Sequence, residues 1–209
     1  MVLISTVTAI CSLILFYLNF VIILKCSDPY GDTYKPVVQP LSILAISLLF
    51  LVPFLNSSLL LPYSYFQDLS LWFFFLGIIF VGIGIKLMKT LSDQHEGFPL
   101  IGEITNYQKD GVYKIMRHPY YSSVLLIFLG LTFIFDSLLA VLLFPLIFLY
   151  FEFMAYFKEK LIFSNKFPEK YDSHIEKVNT RIFPPPYSLF ISIIYVLALY
   201  VGLLNFFLI

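Results

Sequence analysis

Residues 111–123 read Gly111-Val-Tyr-Lys-Ile-Met-Arg-His-Pro-Tyr-Tyr-Ser-Ser123, and they join a polar segment to a long apolar run. Proline suits the first turn of a helix, where its missing N–H is not needed, so Pro119 predicts a helix start. The N-terminus of a helix carries about half a positive charge, and Arg117 and His118 stand directly before it. This stretch therefore predicts a site for an anion at the beginning of a membrane helix.

The composition is that of a membrane protein, with 60% hydrophobic and 12% charged residues. The formal net charge is zero, so no general attraction to nucleic acid is expected. Cys11 and Cys26 make neither a disulfide framework nor a metal-binding pattern. The three histidines are far apart in sequence, and we therefore predict no metal site.

Long apolar runs predict about six transmembrane helices, at residues 2–24, 41–62, 69–85, 119–135, 138–156 and 187–209. The fourth and fifth are separated only by Asp136-Ser137, which predicts a helical hairpin. The chain begins without a basic stretch, so the first span is expected to stay as an anchor. Two long polar segments remain, at residues 86–116 and 157–186. Apolar residues at helical spacing in the second predict interfacial helices, with an interruption at Pro168.

All 13 lysines and arginines fall in the first, third and fifth loops that connect these spans, and none falls in the second or fourth loop. The positive-inside rule places such loops in the cytosol and both termini on the opposite side. The predicted fold is an all-α integral membrane protein with about six transmembrane helices, a helical hairpin and cytosolic interfacial helices.

Two motifs lie on either side of the predicted hairpin. The first is Gly111-x-Tyr113 with Arg117-His-Pro-x-Tyr121; the second is Glu159, then Phe167-Pro-Glu-Lys-Tyr171, then a run that ends at Ile182-Phe-Pro184. Together they resemble the isoprenylcysteine carboxyl methyltransferase and phospholipid methyltransferase family over about residues 105–184. The first three spans match the family only in being hydrophobic. We predict one membrane domain over residues 1–209, with three spans in 1–85, a methyltransferase-like core in 86–186 and a last span in 187–209.

The sequence departs from the family pattern at several positions. Family members usually have Gly, Glu, Gly and Tyr at the positions of Ser123, Lys160, Pro168 and His174. In the carboxyl methyltransferases an arginine associated with the substrate stands where this chain has Ala155. Ala155 therefore argues against a substrate that carries a carboxylate.

The resemblance implies an S-adenosylmethionine-dependent methyltransferase whose lipophilic or lipidated substrate comes from the bilayer. The expected acceptor is an isoprenylcysteine-type carboxyl or a phospholipid-type amine. The cofactor's carboxylate suits the helix start beside Arg117, its ammonium suits an acid, and its sulfonium suits aromatic faces. The matching residues that we expect to bind the cofactor are Tyr113, His118, Pro119, Tyr120, Tyr121 and Glu159, and Arg117 is expected to be catalytic.

Glu152 is a further candidate for a catalytic role. It lies one heptad before Glu159, between Phe151 and Phe153, and an acid at membrane depth indicates function. Glu152 beside Ala155 favours a cationic or amine head group over an acidic one. Hydration of Glu152 near the membrane surface is the simpler interpretation and stays open.

Simpler interpretations also remain for the other candidates. In the simpler interpretation of Glu159, it pairs with Lys158 or Lys160 in solvent. In that of Tyr120 and Tyr121, they are aromatic residues of the membrane interface. Phe163, Phe167 and Tyr171 are expected to be packing residues, and His95 and His174 are expected at the surface.

Two other functions compete with methyl transfer. Membrane sterol reductases have a similar helix arrangement, an R-H-P-N-Y type motif and NADPH as cofactor, but here the Asn is replaced by Tyr120. A non-catalytic membrane protein with a decayed cofactor pocket is the other alternative. Binding of S-adenosylmethionine, of NADPH or of neither would separate the three.

Overall fold

The computed structural model describes residues 2–25, 35–57, 64–95, 110–164 and 168–208. This part of the chain is helical and contains no strand. Its helices are α1 Val2–Lys25, α2 Lys35–Leu55, α3 Ser70–His95, α4 Pro119–Ile134, α5 Leu138–Lys158, α6 Pro168–Ile175 and α7 Tyr187–Leu208. Two 3-10 turns, Gln67–Leu69 and Gly111–Lys114, precede α3 and α4, and a π-helical turn, Glu159–Phe163, extends α5.

α4 is the central helix of the described structure, because almost its entire length is buried. At 16 residues it is about 24 Å long, which is short for a hydrocarbon core of about 30 Å. A short helix that neighbours enclose does not have to match the thickness of the bilayer by itself.

α3 and α4 pack closely through small residues at heptad spacing. A Cβ added at Gly77 would lie 2.6 Å from the carbonyl oxygen of Gly130, and one at Gly84 would lie 2.9 Å from that of Ser123. The Ser123 hydroxyl donates to the Tyr120 carbonyl, so a serine is accommodated where the family usually has glycine. Gly82, by contrast, faces open space. Gly77 and Gly84 thus allow the backbones to approach, which is a common device in membrane helix pairs.

α1 and α2 pack through a seam that mixes small and polar residues. Ser5, Ser12 and Asn19 repeat every seven residues on α1 and are buried. Ser12 Oγ donates to the Ala45 carbonyl (3.0 Å), and Asn19 Nδ2 donates to Ser42 Oγ (2.6 Å). Hydrogen bonds between membrane helices replace those that water would supply elsewhere.

The end of the molecule at the α4–α5 connection is closed by buried polar groups. Asp136 accepts hydrogen bonds from Ser64 and from the Phe66 N–H (3.0 Å). Asn56 accepts from Ser137 (3.1 Å) and from the Leu139 N–H (3.2 Å), which fixes the end of α2 against the start of α5. Because the α4–α5 connection follows the C-terminus of α4, this end of the molecule lies opposite the α4 N-terminus.

Four helical segments are long and apolar enough to cross a membrane: Leu3–Lys25, Gln67–Gln94, Leu138–Lys158 and Tyr187–Leu208. The apolar segments Pro40–Leu55 and Pro119–Ile134 are shorter. Several helices of an integral membrane protein are therefore present as predicted. The count of six crossings and the hairpin stay predictions.

Several predicted boundaries were wrong. α2 begins at Lys35, six residues earlier than expected, and residues 58–62 of the predicted span lie outside the described residues. α3 continues to His95, ten residues past the predicted end, because fully buried Leu91 extends its packed face beyond the charged residues Lys86 and Lys89.

The second polar segment is less helical than predicted. α6 has only eight residues, and residues 176–186 form turns and irregular structure that return to the start of α4. Pro168 begins α6, which agrees with the expected interruption at this position. Phe167 lies outside the described residues.

Candidate functional site

The start of α4 is shaped by the first motif. Gly111 has a φ of +61°, a left-handed conformation that favours glycine, and it begins the 3-10 turn that carries Tyr113. Pro119 is the first residue of α4 and His118 is its N-cap, as the sequence predicts. The His118 carbonyl accepts from the N–H groups of Tyr121 (3.1 Å) and Ser122 (3.4 Å).

The end of the second polar segment is bound directly to this start. The N–H groups of Arg117 and His118 donate to the carbonyls of Thr180 (3.0 Å) and Arg181 (2.8 Å). One turn further along α4, Ser122 Oγ donates to the Ile182 carbonyl (2.7 Å). The two motifs, far apart in the chain, thus form one structural unit. The backbone N–H groups of Arg117 and His118 are not available to bind the predicted anion, because they already donate to these carbonyls.

Glu159 is the centre of this unit. Its side chain is 5% exposed, and Oε1 accepts from His118 Nε2 at 2.9 Å. Arg117 Nε lies 3.4 Å from the same oxygen, and Arg181 Nε donates to Oε2 at 3.0 Å. His118 and Glu159, which were both expected to bind the cofactor, are thus in direct contact. The burial of Glu159 excludes its pairing with Lys158 or Lys160 in solvent.

The charge states follow from this environment. Burial lowers the pKa of His118 to about 4, which outweighs the opposing influence of Glu159. Burial favours a higher pKa for Glu159, but its hydrogen bond with His118 and the charges of Arg117 and Arg181 lower it. At neutral pH a neutral imidazole therefore donates its Nε2 proton to an ionised carboxylate.

Aromatic rings surround the histidine. The His118 ring is nearly parallel to those of Tyr121 (5.5 Å, 11°) and Phe163 (6.1 Å, 16°). Tyr171 on α6 contacts Phe163 (6.0 Å), and its hydroxyl is hydrogen-bonded to Glu159; burial and this carboxylate raise the pKa of Tyr171. These rings exclude water from the His118–Glu159 pair and so strengthen it.

Glu152 lies beside the buried cluster but is more open. Its side chain is 30% exposed, and its Oε2 is 3.8 Å from Arg181 Nη1. The Arg181 guanidinium also lies 5.5 Å from the centre of the Tyr156 ring. Arg181 thus contacts both glutamates: it forms a hydrogen bond with Glu159 and a longer ion pair with Glu152.

The structure places the other predicted site residues as follows. Tyr120 and Tyr121 are buried at the start of α4, so they are not exposed interface aromatics. Tyr113 packs against the core, and burial raises its pKa to about 12. Arg117 is 8% exposed and belongs to the Glu159 cluster.

The departures from the family pattern fall in different places. Lys160 is exposed, with its ammonium 5.9 Å from the centre of the Tyr156 ring, whereas Ala155 is fully buried. His174 is 4% exposed, so its predicted surface position was wrong: it sits on the face of short α6 that also buries Tyr171.

Sequence reasoning missed Arg181 as a site residue and assigned Phe163 and Tyr171 to packing alone. Arg181 was counted only as one of the basic residues of its loop. The available signal was its position directly before Ile182-Phe-Pro184, in the second motif. Its partners could not be identified because a 22-residue separation from Glu159 has no periodic signature.

This arrangement has groups that can bind ions of both signs. Arg117 and Arg181 supply positive charge, partly exposed Glu152 supplies negative charge, and tyrosines supply aromatic faces that attract cations. Among the described residues no three His, Cys, Asp or Glu side chains are grouped for a metal ion.

Comparison with known proteins assigns the chain to a family. The model of the phospholipid methyltransferase family matches residues 46–170, from within α2 to α6, which is more than half of the chain. Comparison with curated proteins and with solved structures gives no match. The matched range contains the α4 start, both glutamates and the helices that carry them. This chain therefore belongs to the phospholipid methyltransferase family, which implies a membrane methyltransferase.

Proposed function

We propose that this protein transfers a methyl group from S-adenosylmethionine to an amine on a lipophilic substrate that reaches the site from the bilayer. The observation that carries the proposal is the buried His118–Glu159 contact, because it unites the two motifs of a methyltransferase family at one helix start. Methyl transfer is an in-line displacement, so holding the two reactants in position supplies much of the catalysis.

The residues at the α4 start fit the cofactor's chemistry. Arg117 Nε is buried and forms an ion pair with Glu159 Oε1 (3.4 Å), which holds a guanidinium of the type that binds carboxylates at the start of α4, where the cofactor's carboxylate is proposed to bind. Tyr120 and Tyr121 offer rings for a sulfonium. When bound, the cofactor supplies the electrophilic methyl group.

Glu159 fits its expected role as ammonium ligand less well. Its two oxygens already accept from His118 and Arg181, and Arg117 and Tyr171 add to them. We therefore assign Glu159 the role of holding His118 and Arg117 in place. Glu152, with about a third of its side chain exposed, is the carboxylate with room for a new cationic partner.

The choice of an amine acceptor rests on Glu152 and Ala155. In the carboxyl methyltransferases an arginine at the position of Ala155 is associated with the substrate, but Ala155 is buried and uncharged, and the partly exposed Arg181 is already paired with Glu159. A protonated amine near Glu152 would gain an ion pair in a partly dehydrated site, where charges interact strongly. Glu152 would orient the amine and hold the proton that the amine loses before methyl transfer.

The site is proposed to face the cytosol, with both termini on the opposite side. The support is the charge pattern: Arg117, Lys158 and Arg181 all lie at the end of the molecule that carries the site. A cytosolic site would receive S-adenosylmethionine from cytosolic metabolite pools.

The experiment is transfer of labelled methyl from S-adenosylmethionine into membrane lipid extracts, followed by identification of the labelled product. We expect a methylated amine lipid with the wild type and no product with His118→Ala. Glu169→Gln, which changes an exposed acid on α6, is the matched control and should retain activity. Label in a carboxyl ester would contradict the amine assignment, and the absence of any labelled lipid would contradict the function.

A further inference from the structure

Arg181 connects the two carboxylates of the site. Its Nε donates to Glu159 Oε2 at 3.0 Å, and its Nη1 lies 3.8 Å from Glu152 Oε2. Its own carbonyl accepts from the His118 N–H at 2.8 Å, so the backbone of Arg181 is fixed to the start of α4. The side chain therefore extends from an anchored point toward both acids.

The two contacts differ in strength. The Glu159 contact has hydrogen-bond geometry, and the Glu159 side chain is 5% exposed. The Glu152 contact is longer than a hydrogen bond, and both side chains are about one-third exposed. Partly exposed ion pairs at such a distance contribute little, so a competing cation can displace this one.

The guanidinium keeps other partners if Glu152 is taken from it. It lies 5.5 Å from the centre of the Tyr156 ring and remains bonded to Glu159. Release of Glu152 therefore does not leave a charge in an apolar environment, and it needs no movement of the backbone.

We infer that Arg181 is a positioning residue that fixes Glu159 and competes with the acceptor's amine for Glu152. This inference rests on the proposed function, because it assigns Glu152 to the cationic group of the acceptor. It predicts an unusual result: removal of the Arg181 charge weakens catalysis but strengthens binding of the amine.

The kinetic test compares Arg181→Gln with the wild type in the methyl-transfer assay. Loss of the Glu159 contact disorders the His118 side of the site, so kcat should fall about tenfold or more, on the order expected for misplaced groups. Loss of the competing cation should lower the KM for the amine acceptor about three- to tenfold. An unchanged or raised acceptor KM would overturn the inference. An unchanged KM is expected if Arg181 is merely structural, and a raised KM is expected if Arg181 binds an anionic group of the acceptor.

Arg181→Lys provides the conservative variant. A lysine retains one charge for Glu159 but has no fork with which to contact two carboxylates together. We expect kcat to recover toward the wild-type value while the acceptor KM stays low. If Arg181→Lys is folded but its kcat stays as low as that of Arg181→Gln, the positioning role is contradicted.

A binding assay tests the inference without methyl transfer. Cofactor-free protein in detergent is titrated with dodecylamine, with dodecanol as the neutral control, and thermal unfolding is measured. Arg181→Gln should show a larger amine-specific stabilisation than the wild type, and Glu152→Gln should show none. Equal or smaller stabilisation of Arg181→Gln would overturn the inference. If the wild type transfers no methyl group, the proposed function fails, and this assay still decides the competition between Arg181 and an amine.

Discussion

At the residue scale, two glutamates one heptad apart have different surroundings. Glu159 is enclosed by His118, Arg117 and Arg181, whereas Glu152 is partly exposed and has one distant cation. A carboxylate with several buried partners stabilises the fold, while one with few partners is available to a ligand. Burial and partners, rather than residue type, separate the two roles.

Glu159→Gln should therefore destabilise the protein far more than Glu152→Gln. Removal of one member of a buried ion cluster costs about 3–5 kcal/mol because the remaining charges lose their partner. The partly exposed Glu152 pair contributes about 0–1 kcal/mol. Unfolding in detergent without ligand measures both variants, and equal losses would contradict the division of roles.

His118 predicts an acid-sensitive fold. Burial lowers its pKa from 6.5 to about 4, so between these values the unfolded chain binds a proton that the folded protein does not. Stability should fall as the pH decreases from about 6.5 to about 4, by about 3 kcal/mol if His118 acts alone. The lowered pKa of Glu159 acts in the same direction at lower pH.

Thermal unfolding in detergent from about pH 7.5 to about pH 4.5 measures this dependence. His118→Gln keeps a hydrogen-bond donor but cannot titrate, so its unfolding temperature should vary less with pH. Identical pH profiles of the two proteins would show that other groups cause the acid sensitivity.

At the scale of elements, the close packing of α3 on α4 determines where the α4 start lies. Gly77→Ala would place a methyl group 2.6 Å from the Gly130 carbonyl oxygen and 2.8 Å from Ile134. The helices must then separate, at a cost of about 1–3 kcal/mol. Gly82→Ala is the matched control, because its methyl group meets nothing within 4 Å. It should be neutral or stabilising by up to about 1 kcal/mol, and an equal loss in both variants would argue against the glycine contact.

The sequence predicted the elements better than their ends. Apolar runs located the membrane helices, and Pro119 correctly marked the start of α4. Charged Lys86 and Lys89 suggested a loop, but a helix can carry exposed charges while Leu91 continues its buried face. The return of residues 180–182 to α4 rests on two backbone hydrogen bonds and one from Ser122 Oγ, and all three end on backbone carbonyls, which any residue type supplies.

At the scale of the whole molecule, the proposed sidedness can be tested by chemical labelling. In a background without Cys11 and Cys26, a cysteine is placed at exposed Asp68 or at exposed Glu169. In sealed membrane vesicles with the cytosolic face outward, a membrane-impermeant maleimide should label the Glu169→Cys protein and should reach Asp68→Cys only after permeabilisation. Labelling of both positions, or of Asp68→Cys alone, in the sealed vesicles would contradict the proposed topology.

The candidate site was predictable in outline. The resemblance of the two motifs to the family pointed to His118, Arg117 and Glu159, and the structure brings these three residues into one cluster. The expected binding of the cofactor's ammonium by Glu159 could not anticipate Arg181 and Tyr171, which contact Glu159 from a distant segment. These contacts favour a different proposed role for Glu159, and the roles of all three residues stay predictions.

The most direct test of the central claim is equilibrium binding of S-adenosylmethionine to the purified protein in detergent, with NADPH measured in parallel. A cofactor site at the α4 start and the Glu159 cluster, as proposed, predicts saturable binding of S-adenosylmethionine, a large loss with Arg117→Ala, and no binding of NADPH. Saturable binding of NADPH without S-adenosylmethionine, or of neither nucleotide, would contradict the account.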